Sequence, residues 1–289
     1  MTIKQTTEEK CLIIGCGDIG QRLAQQITPR GYRVTGLRRS TMADRDYLHY
    51  HCGDINNPTD LQELLADDFS IIVISMTPDE YTDAGYQRAY VDSCQNLLRA
   101  LAQQKRAPRL ILFVSSTAVY AQNDGHWVDE HAPCQPTSFS GKRLLEAEDL
   151  VRRSGHPFCI VRFSGIYGPG RNRLIEQVIQ KRASPSSTYT NRIHVDDCAG
   201  FIAHLIERDK HQPLENLYIA TDCRPTPMIE VVTWIAARLG VDHGTSLSAT
   251  NQRGNKKLSN RLMRATGYQL QYESFDQGYK GVVDTYLNP

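Results

Sequence analysis

Apolar runs of strand length alternate with amphipathic helical stretches along most of this chain. A chain with this alternation folds into a parallel sheet covered by helices on both faces. The sequence therefore predicts an α/β protein of Rossmann type, a doubly wound parallel sheet with a smaller C-terminal region. The predicted strands are 11–15, 32–37, 70–75, 110–115, 158–163 and 217–220, and the predicted helices are 21–26, 90–102, 140–151 and 228–239.

Charge and hydropathy limit the partners of the chain. Its 289 residues carry 33 Lys and Arg against 32 Asp and Glu, for a formal net charge of +1. Affinity for a polyphosphate needs concentrated positive charge. The apolar runs are far shorter than the roughly 20 residues of a membrane span, and the mean hydropathy is −0.45. We expect a soluble protein with no nucleic-acid and no membrane partner.

The N-terminus and the cysteines indicate the compartment. Residues 1–10 are polar and contain no apolar leader segment. The eight cysteines are spread along the chain without a Cys-x-x-Cys pair, so we expect reduced thiols in structural positions. Both features favour a cytoplasmic protein.

A Gly-x-Gly-x-x-Gly motif over 15–20 runs from a predicted strand directly into a predicted helix. Gly15 permits a tight turn, Gly17 lets the backbone approach a pyrophosphate, and Gly20 allows the helix to pack closely on the strand. The first helical residues, Asp18 and Ile19, contribute the amides and partial positive charge of a helix N-terminus. The alternative is a glycine turn without a ligand, but the motif lies where a βαβ unit places a dinucleotide-binding loop.

The second predicted strand ends in Arg38-Arg39-Ser40. A chain that binds NAD usually carries Asp or Glu there for the ribose hydroxyls. Arginines offer bidentate donors and positive charge to a 2′-phosphate, so we predict NADP as the cofactor, with NAD as the alternative. The alternative is that both arginines are solvated on the surface and bind no ligand. Further cofactor-binding candidates are Asp54, after a short third strand, and Met76 and Thr77, directly after the strand 70–75.

A segment rich in Pro, Ser, Gly and Arg, residues 168–191, interrupts the alternation. We expect residues 1–168 to form an NAD(P)-binding Rossmann domain and residues 169–289 a smaller substrate-binding region. Part of that region, about 192–221, is expected to return to the Rossmann sheet. Ligands of open α/β sheets bind at the carboxyl edge of the strands, so we expect the smaller region to cover that edge.

Three further segments resemble motifs of a known family. The sequence FVSSTAVY over 113–120 resembles the strand that carries the catalytic Ser/Thr of the short-chain dehydrogenase/reductase superfamily, with Ser116 at that position. RFSGIYGPG over 162–170 and NRIHVDD over 191–197 resemble the Tyr-Gly-Pro-Gly turn and the His-Val-x-Asp segment of its extended, epimerase/dehydratase branch. The resemblance covers nearly the whole chain and implies an NAD(P)-dependent protein, with a homodimer left open.

The resemblance breaks at the Tyr-x-x-x-Lys pair of the family. Lys142 matches the lysine, but Ser138 stands at the tyrosine. In the family the ammonium lowers the pKa of the phenol, which then exchanges a proton with the substrate hydroxyl during hydride transfer. A serine hydroxyl is a far weaker acid. A kept lysine and a lost tyrosine resemble the atypical short-chain dehydrogenases of the YeeZ type, which are labelled NAD-dependent epimerase/dehydratase.

Other hydroxyl groups are candidates to replace the phenol. Ser116, Ser138 and Lys142 could form a relay, because residues four apart share a helix face. Alternatively, Ser138 caps the helix and Lys142 binds only cofactor or solvent. Tyr167, the fourth catalytic candidate, and Tyr120 lie on turns expected to approach the active cleft, and the alternative for both is ring packing with a satisfied hydroxyl.

No metal site is predicted, because no cluster of carboxylates and histidines completes a coordination shell around the Asp196-Asp197 pair. We expect Asp196 or Asp197 to be a helix N-cap. The resemblance implies a structural role for His194. The basic loop 254–261 resembles a late substrate-contacting segment of the branch, so it either neutralises a phosphorylated substrate or is simply solvated.

Two functions remain at this point. The first is an NAD(P)-dependent oxidoreductase or epimerase that acts on a hydroxyl or carbonyl carbon of a polar small molecule such as a nucleotide sugar, with Ser116 polarising the oxygen. The alternative is a non-catalytic NADP(H)-binding sensor or regulatory protein. Because the resemblance includes the substrate half of the chain, we favour the enzyme.

Overall fold

The computed structural model describes residues 8–242 and 254–287, so most of the polar N-terminal stretch lies outside the described residues. The chain forms two compact units. Unit 1 comprises the described part of Met1–Val119, together with Pro136–Val161 and Ala199–Leu217. Unit 2 comprises Tyr120–Gln135, Arg162–Cys198 and the described part of Tyr218–Pro289. The predicted domain boundary lies at residue 168, and the chain passes from unit 1 to unit 2 after Val161. The segment 192–221, which was predicted to return to the Rossmann sheet, overlaps the unit 1 segment Ala199–Leu217.

A seven-stranded sheet has the order β3-β2-β1-β4-β5-β7-β11. The pairs formed by β1 with β2 and β4, by β2 with β3 and by β4 with β5 are parallel. This order is that of a doubly wound Rossmann sheet, so the predicted fold class is confirmed. The strands are β1 (Glu9–Ile14), β2 (Tyr32–Arg38), β3 (His49–Cys52), β4 (Ile71–Ile74), β5 (Leu110–Ser116), β6 (Trp127–Val128), β7 (Phe158–Phe163), β8 (Gly165–Tyr167), β9 (Tyr189–Thr190), β10 (Arg192–His194), β11 (Leu217–Ala220), β12 (Thr226–Pro227) and β13 (Lys257–Leu258).

The helices follow the predicted apolar periodicity. The predicted helix 228–239 is confirmed residue for residue, and the others are confirmed within a few residues; the stretch 90–102 divides into a π-helical turn, Gln87–Asp92, and a following α-helix. The α-helices are α1 (Asp18–Ile27), α2 (Pro58–Leu64), α3 (Asp83–Tyr86), α4 (Ser93–Leu101), α5 (Phe139–Arg152), α6 (Arg173–Ile179), α7 (Val195–Arg208), α8 (Met228–Leu239), α9 (Arg261–Ala265) and α10 (Phe275–Leu287).

The core of unit 1 explains why its central strands read as continuous apolar runs. All four residues of β4 are buried, as are the last four of β1, because helices cover both faces of the sheet. Helices α2, α4 and α5 pack their apolar faces against these strands, with side chains such as Leu61, Leu97 and Val151 in one cluster with Ile72 and Phe113.

Unit 2 has its own core. It is built from α6, α8 and α10 and includes Tyr167, Ile235, Phe275 and Tyr279. Three two-stranded sheets, β10-β8, β12-β9 and β13-β6, connect its segments.

Within the described ranges no helix is both long and apolar enough to cross a membrane. All eight cysteines are free thiols, and five of them are buried.

Candidate functional site

The turn between β1 and α1 is built around Gly15. Its φ of +74° lies in the left-handed region, and a Cβ there would lie 2.6 Å from the Ser75 carbonyl oxygen, so the position requires glycine. A Cβ on Gly20 would meet Ile13 at 2.9 Å, because the helix packs directly on the strand. Gly17 differs, since the nearest atom to its Cβ position is 3.9 Å away. The backbone at Gly17 therefore faces open space beside the N-terminus of α1.

The cofactor-binding candidates of unit 1 gather at one edge of the sheet. The amides of Gly15 and Cys16 donate to the Leu37 carbonyl, and the Gly53 amide donates to the Arg38 carbonyl. Met76 follows β4, and its sulfur would lie 3.0 Å from a Cβ on Gly15. The turn after β1 therefore contacts the ends of β2 and β4, and the segment after β3 contacts the end of β2. Thr77 is exposed beside Met76.

The first helical turn and the third strand end place two more candidates. Asp18 Oδ1 accepts from Arg22 Nε at 2.7 Å, an i,i+4 ion pair on the surface of α1. Asp54 is half-buried, and its Oδ1 accepts from the Asn56 amide while its own amide donates to Asp60. The Asp54 carboxylate therefore orders the loop after β3, and a contact with adenine stays a prediction.

Arg38 and Arg39 are held in different ways. Arg38 Nε donates to Ser40 Oγ at 3.2 Å, and its guanidinium lies 5.9 Å from the centre of the Tyr50 ring. Arg39 forms a bidentate ion pair with Asp79, in which Nη1 donates to Oδ2 at 2.6 Å. This pair lowers the pKa of Asp79 and raises that of Arg39, mainly through the hydrogen bonds. Of the two arginines, Arg39 already has a carboxylate partner, and sequence reasoning missed Asp79.

Three of the four catalytic candidates lie where β5 leads toward α5. Ser116 is the last residue of β5, and its Oγ accepts from the Ala118 amide at 3.2 Å. The turn that follows packs on Gly141 of α5 so closely that a Cβ would lie 2.6 Å from the Ala118 carbonyl oxygen. Ser116 and the first turn of α5, which carries Ser138 and Lys142, are therefore neighbours in unit 1.

Ser138 is the N-cap of α5. Its Oγ accepts from the Gly141 amide at 3.2 Å and lies 3.1 Å from Ser140 Oγ. Lys142 is exposed one turn later, and its amide donates to the Ser138 carbonyl at 3.1 Å. The next residue, Arg143, forms a bidentate ion pair with Asp83 of α3 at 2.8 and 2.9 Å, so α3 is fixed beside this turn.

A buried carboxylate anchors α5 to β5. Glu148 is fully buried; its Oε1 accepts from Ser115 Oγ at 2.6 Å and its Oε2 accepts from Arg152 at 2.8 Å. Ser115 precedes Ser116, so this contact fixes the relation of the strand end to the helix that carries Lys142. A glutamate on the apolar stripe of α5 was the sequence signal that could have identified it.

Tyr167 and Tyr120 are both in unit 2 and both buried. The Tyr167 ring stacks on Tyr279 at 4.5 Å, and its hydroxyl donates to the Ser274 carbonyl at 3.4 Å. The Tyr120 hydroxyl accepts from Arg162 at 2.7 Å. Burial raises the pKa of both phenols. These surroundings support ring packing with a satisfied hydroxyl, and catalysis by Tyr167 stays a prediction.

The predicted N-cap role of Asp196 or Asp197 is wrong. Helix α7 begins at Val195, whereas a cap at Asp196 would require it to begin two residues later, so both aspartates lie in its first turn. His194 Nδ1 instead accepts from the Asp196 amide at 3.2 Å, and the buried Asp197 accepts from the amides of Gln271 and Tyr272. His194 is buried with its ring 4.0 Å from that of Tyr272, a structural position.

The segment 254–261 is less solvated than a basic loop would suggest. Lys256 is buried and donates to the Tyr120 carbonyl at 2.9 Å, and burial lowers its pKa. Lys257 lies 5.6 Å from the centre of the Trp127 ring and 5.0 Å from that of Tyr189. In the part of the chain that the structure describes, no group of three or more His, Cys, Asp or Glu residues could hold a metal ion.

Comparisons with known proteins agree with this architecture. A family model described as the NAD dependent epimerase/dehydratase family matches residues 11–220. The chain is 27% identical over 278 residues to Protein YeeZ of Escherichia coli (strain K12), with 91% of this chain and 96% of YeeZ covered.

Solved structures extend the comparison to the whole chain. An epimerase/dehydratase-type structure from Methylobacillus flagellatus is 39% identical, with a TM-score of 0.84 over 97% of this chain and 100% of that one. The human epimerase family protein SDR39U1 (isoform 2), solved with NADPH, has a TM-score of 0.76 at 18% identity over 95% of this chain and 99% of that one, a likeness of fold alone. Given the family match over 11–220 and the 39% identity along nearly the full length, this chain belongs to the NAD-dependent epimerase/dehydratase family.

Proposed function

We propose that this chain is an NADP-dependent oxidoreductase or epimerase of the short-chain dehydrogenase type. It acts on a hydroxyl or carbonyl carbon of a polar small molecule, with a nucleotide sugar as the leading class. The observation that carries the proposal is the glycine turn beside Arg38. The cytoplasm as its location and a homodimer as its assembly belong to the same proposal.

The residues at the sheet edge fit a dinucleotide. Gly17 leaves its backbone open beside the helix N-terminus, which suits the approach of a pyrophosphate. Arg38 stands at the end of β2, where its guanidinium can reach a 2′-phosphate on the adenosine ribose. Among the described residues Arg38 has no ion-pair partner, so its charge is available to the phosphate. Bound NADP(H) would supply hydride transfer, and we assign Lys142 to its nicotinamide ribose.

Ser116 and Lys142 are the polar groups we assign to the substrate end. Because Ser116 Oγ accepts from the Ala118 amide, its own proton remains free to be donated to a substrate oxygen. The Lys142 ammonium is exposed and adds positive charge near that oxygen. Ser138 is the remaining candidate for the relay, and as a neutral alcohol it can relay a proton but not accept one as readily as a phenolate.

One observation favours the alternative, a non-catalytic NADP(H) sensor. Ser138 Oγ is used as a helix cap, so the position of the family tyrosine has a structural role here. Turnover decides between the two, and it is followed both by nicotinamide absorbance and by analysis of the sugar products. With NADP and a panel of nucleotide sugars, an oxidoreductase changes the absorbance, whereas an epimerase returns the hydride and converts the sugar with no net absorbance change; either activity should be lost in Lys142→Ala. A sensor binds NADPH with no absorbance change and no product on any member of the panel.

The cofactor assignment is tested by titrating the protein with NADPH and NADH and following nicotinamide fluorescence. We expect NADPH to bind at least about tenfold tighter, roughly 1.4 kcal/mol, and Arg38→Ala to remove the preference. Arg33→Ala is the matched control, because Arg33 is an exposed arginine of the same strand far from its carboxyl end. Equal affinity for both nucleotides in the unmodified protein refutes the NADP assignment, and no binding of either refutes both functions.

A further inference from the structure

Unit 2 contains a cleft of about 450 Å³ whose lining combines a thiol with charged groups. Its polar lining includes Asp222, Cys223, Asn260, Arg261 and Arg264. A volume of this size is within the range of small-molecule sites, which are roughly 300–1,000 Å³. The cleft is therefore large enough for a small ligand to lie against the thiol.

The thiol of Cys223 is exposed, and its backbone is held in place. Of the eight cysteines five are buried, whereas Cys52 and Cys223 are exposed. The Cys223 amide donates to the Glu273 carbonyl at 2.9 Å, which fixes the backbone at the wall of the cleft. The thiolate is the attacking form of a cysteine, so an exposed thiol in a cleft can react with a ligand bound there.

The side chain of Asn260 directs its NH2 group at this sulfur. Its Nδ2 lies 3.3 Å from Cys223 Sγ, and it donates to the carbonyls of Thr221 and Asp222, both at 3.1 Å. Because carbonyls only accept, they require the NH2 group, not the amide oxygen, on this side. A donor beside the sulfur stabilises negative charge on it and so favours the thiolate.

Two guanidinium groups in the cleft are available to an anion. Arg261 and Arg264 are exposed, and neither has an ion-pair partner among the described residues. Arg224 differs, because it pairs with Glu230 and Asp276. Guanidinium groups bind carboxylates through bidentate hydrogen bonds. The cleft can therefore hold a ligand that carries two carboxylates.

The floor of the cleft carries a carboxyl oxygen without a partner. Asp222 lines the cleft yet is only 1% exposed. Its Oδ1 accepts from the Arg224 amide at 3.1 Å, but Oδ2 has no hydrogen-bond partner within the described ranges. A buried polar atom without a partner is costly, and an ammonium that enters the cleft would compensate it. This observation is separate from the thiol, and it points to a ligand with a positive charge as well.

We propose that Cys223 is a thiolation site, at which the disulfide of a small acidic thiol peptide is captured as a mixed disulfide. The peptide presents two carboxylates to Arg261 and Arg264 and an ammonium to Asp222, and each half of oxidised glutathione carries these charges. The Cys223 thiol gives its proton to solvent and attacks one sulfur of that disulfide. The old S–S bond breaks, a new S–S bond to Cys223 forms, and the released thiolate takes up a proton, so the disulfide itself is the oxidant. The inference goes beyond the proposed function, because it needs neither the dinucleotide nor turnover.

The reaction is measured in Cys52→Ser, which removes the other exposed thiol. Three disulfides are compared by mass spectrometry of peptides: oxidised glutathione, dithiodipropionate, which has carboxylates but no ammonium, and hydroxyethyl disulfide, which is uncharged. Each rate at Cys223 is divided by the rate at the same cysteine in urea-unfolded protein, which removes the intrinsic reactivity of the reagent. We expect this normalised rate to be about tenfold or more higher for oxidised glutathione than for hydroxyethyl disulfide.

Variants in the same background test each contact. Arg261→Ala/Arg264→Ala should lower the normalised rate with oxidised glutathione about fivefold or more and leave the rate with hydroxyethyl disulfide unchanged. Arg30→Ala, an exposed arginine of unit 1 with no ion-pair partner among the described residues, is the matched control and should change neither rate. Asp222→Asn should slow oxidised glutathione relative to dithiodipropionate. Added salt should slow the charged disulfides without any substitution in the cleft.

Four results would overturn the proposal. They are no modification of Cys223, equal normalised rates for the charged and uncharged disulfides, a preference that survives the loss of both arginines, and an equal effect of Asp222→Asn on the two charged disulfides. NADPH binding and turnover of nucleotide sugars report on the other site, so their absence would refute the proposed function and leave this one standing.

Discussion

Arg38 and Arg39 are neighbours in sequence, but their charges are not equally available. Arg38 is held by a serine hydroxyl and an aromatic ring, both neutral. Arg39 donates two hydrogen bonds to Asp79, which lies in the segment after β4. An incoming 2′-phosphate therefore has to compete with a carboxylate for Arg39, and Asp79 also repels it.

Removing that carboxylate should strengthen NADPH binding. In Asp79→Asn the Arg39 guanidinium becomes available, and exposed charge pairs are worth about 0.2–1 kcal/mol, so NADPH affinity should rise up to about fivefold. NADH lacks the 2′-phosphate, and its affinity should change little. Fluorescence titration of both nucleotides measures the difference, with Arg39→Ala/Asp79→Asn as the control that should cancel the gain. An equal rise for NADH would show that Asp79 acts on the shared part of the dinucleotide.

Asp222 should make the stability of the protein depend on pH. Burial raises its pKa to about 7, only partly offset by the Arg224 amide and the charges of Arg192 and Arg224, and Asp197 adds to the rise. Between about pH 4 and pH 7 the folded chain therefore binds more protons than the unfolded chain. The contribution of Asp222 to the free energy of unfolding falls across this range and is lost as the pH rises through about 7. A difference of about three units between the pKa values of Asp222 in the folded and unfolded chains corresponds to about 4 kcal/mol.

Asp222→Asn removes the titrating group and should flatten this dependence. We expect the free energy of unfolding of the unmodified protein, relative to the variant, to fall by up to about 3 kcal/mol between about pH 5 and pH 8, because about two of the three pKa units lie in that range. Urea denaturation at several pH values measures it. Parallel curves for the two proteins would mean that Asp222 keeps the same pKa on unfolding.

At the scale of single residues, sequence spacing predicts the roles of the glycines but not the partners in the ion pairs. The motif gives each glycine a position in a turn of known geometry, and the φ of Gly15 and the packing of Gly20 have that geometry. Asp79 could not be found this way, because it lies forty residues from its partner and nothing in the local pattern connects them. For the same reason the surroundings of Asp222 emerge only from the fold.

At the scale of elements, helix α5 shows what the pattern of apolar residues can and cannot predict. Its period places Leu144, Ala147 and Val151 on the buried face, and all three are buried. The position of Ser138 was open between relay and cap, since both use the same residue at the same spacing. The cap follows from the extended backbone at Ser138, with φ of −78° and ψ of 149°, where the helix has not yet begun.

Helix α10 contains a matched pair of glycines that tests the packing of Tyr167. A Cβ on Gly278 would fall on the Tyr167 hydroxyl oxygen and within 2.7 Å of two ring carbons, whereas one on Gly281 would meet nothing within 4 Å. Gly278→Ala should therefore destabilise the protein by about 1–3 kcal/mol through overpacking. Gly281→Ala, on the exposed side of the same helix, should stabilise it by up to about 1 kcal/mol.

Urea denaturation of both variants provides the measurement. Both substitutions raise the helix propensity equally, so any difference between them reports the contact with Tyr167. Equal stability of the two variants would mean that the Tyr167 ring moves aside freely, which would make it available for the catalytic role that its packing now disfavours.

On the scale of the whole molecule, the alternation of strands and helices predicted the sheet, because buried parallel strands need long apolar runs. The division into units is harder to predict from the sequence. Segments 136–161 and 199–217 belong to unit 1 although unit 2 segments lie between them in sequence. A change of composition marks a domain boundary only where the chain leaves a domain and does not come back to it, whereas this chain returns to unit 1 twice.

The thiols provide one reporter in each unit. Cys52 and Cys223 are exposed, Cys134 is intermediate and the other five cysteines are buried. Burial raises the pKa of Cys16 and Cys94 to about 12, which leaves almost no reactive thiolate at neutral pH. A thiol reagent should therefore modify Cys52 and Cys223 in the native protein well before the buried five, which should react only on unfolding.

One of the two reactive cysteines lies beside the proposed cofactor site. Cys52 is paired in register with Arg38, and its thiol donates to the Arg39 carbonyl at 3.4 Å. Cys223 belongs to unit 2. NADPH should therefore slow the modification of Cys52 and leave that of Cys223 unchanged. Labelling followed by mass spectrometry of peptides separates the two rates, with Cys52→Ser and Cys223→Ser as controls. Equal rates for Cys52 with and without NADPH would show that the nucleotide does not cover the end of β2.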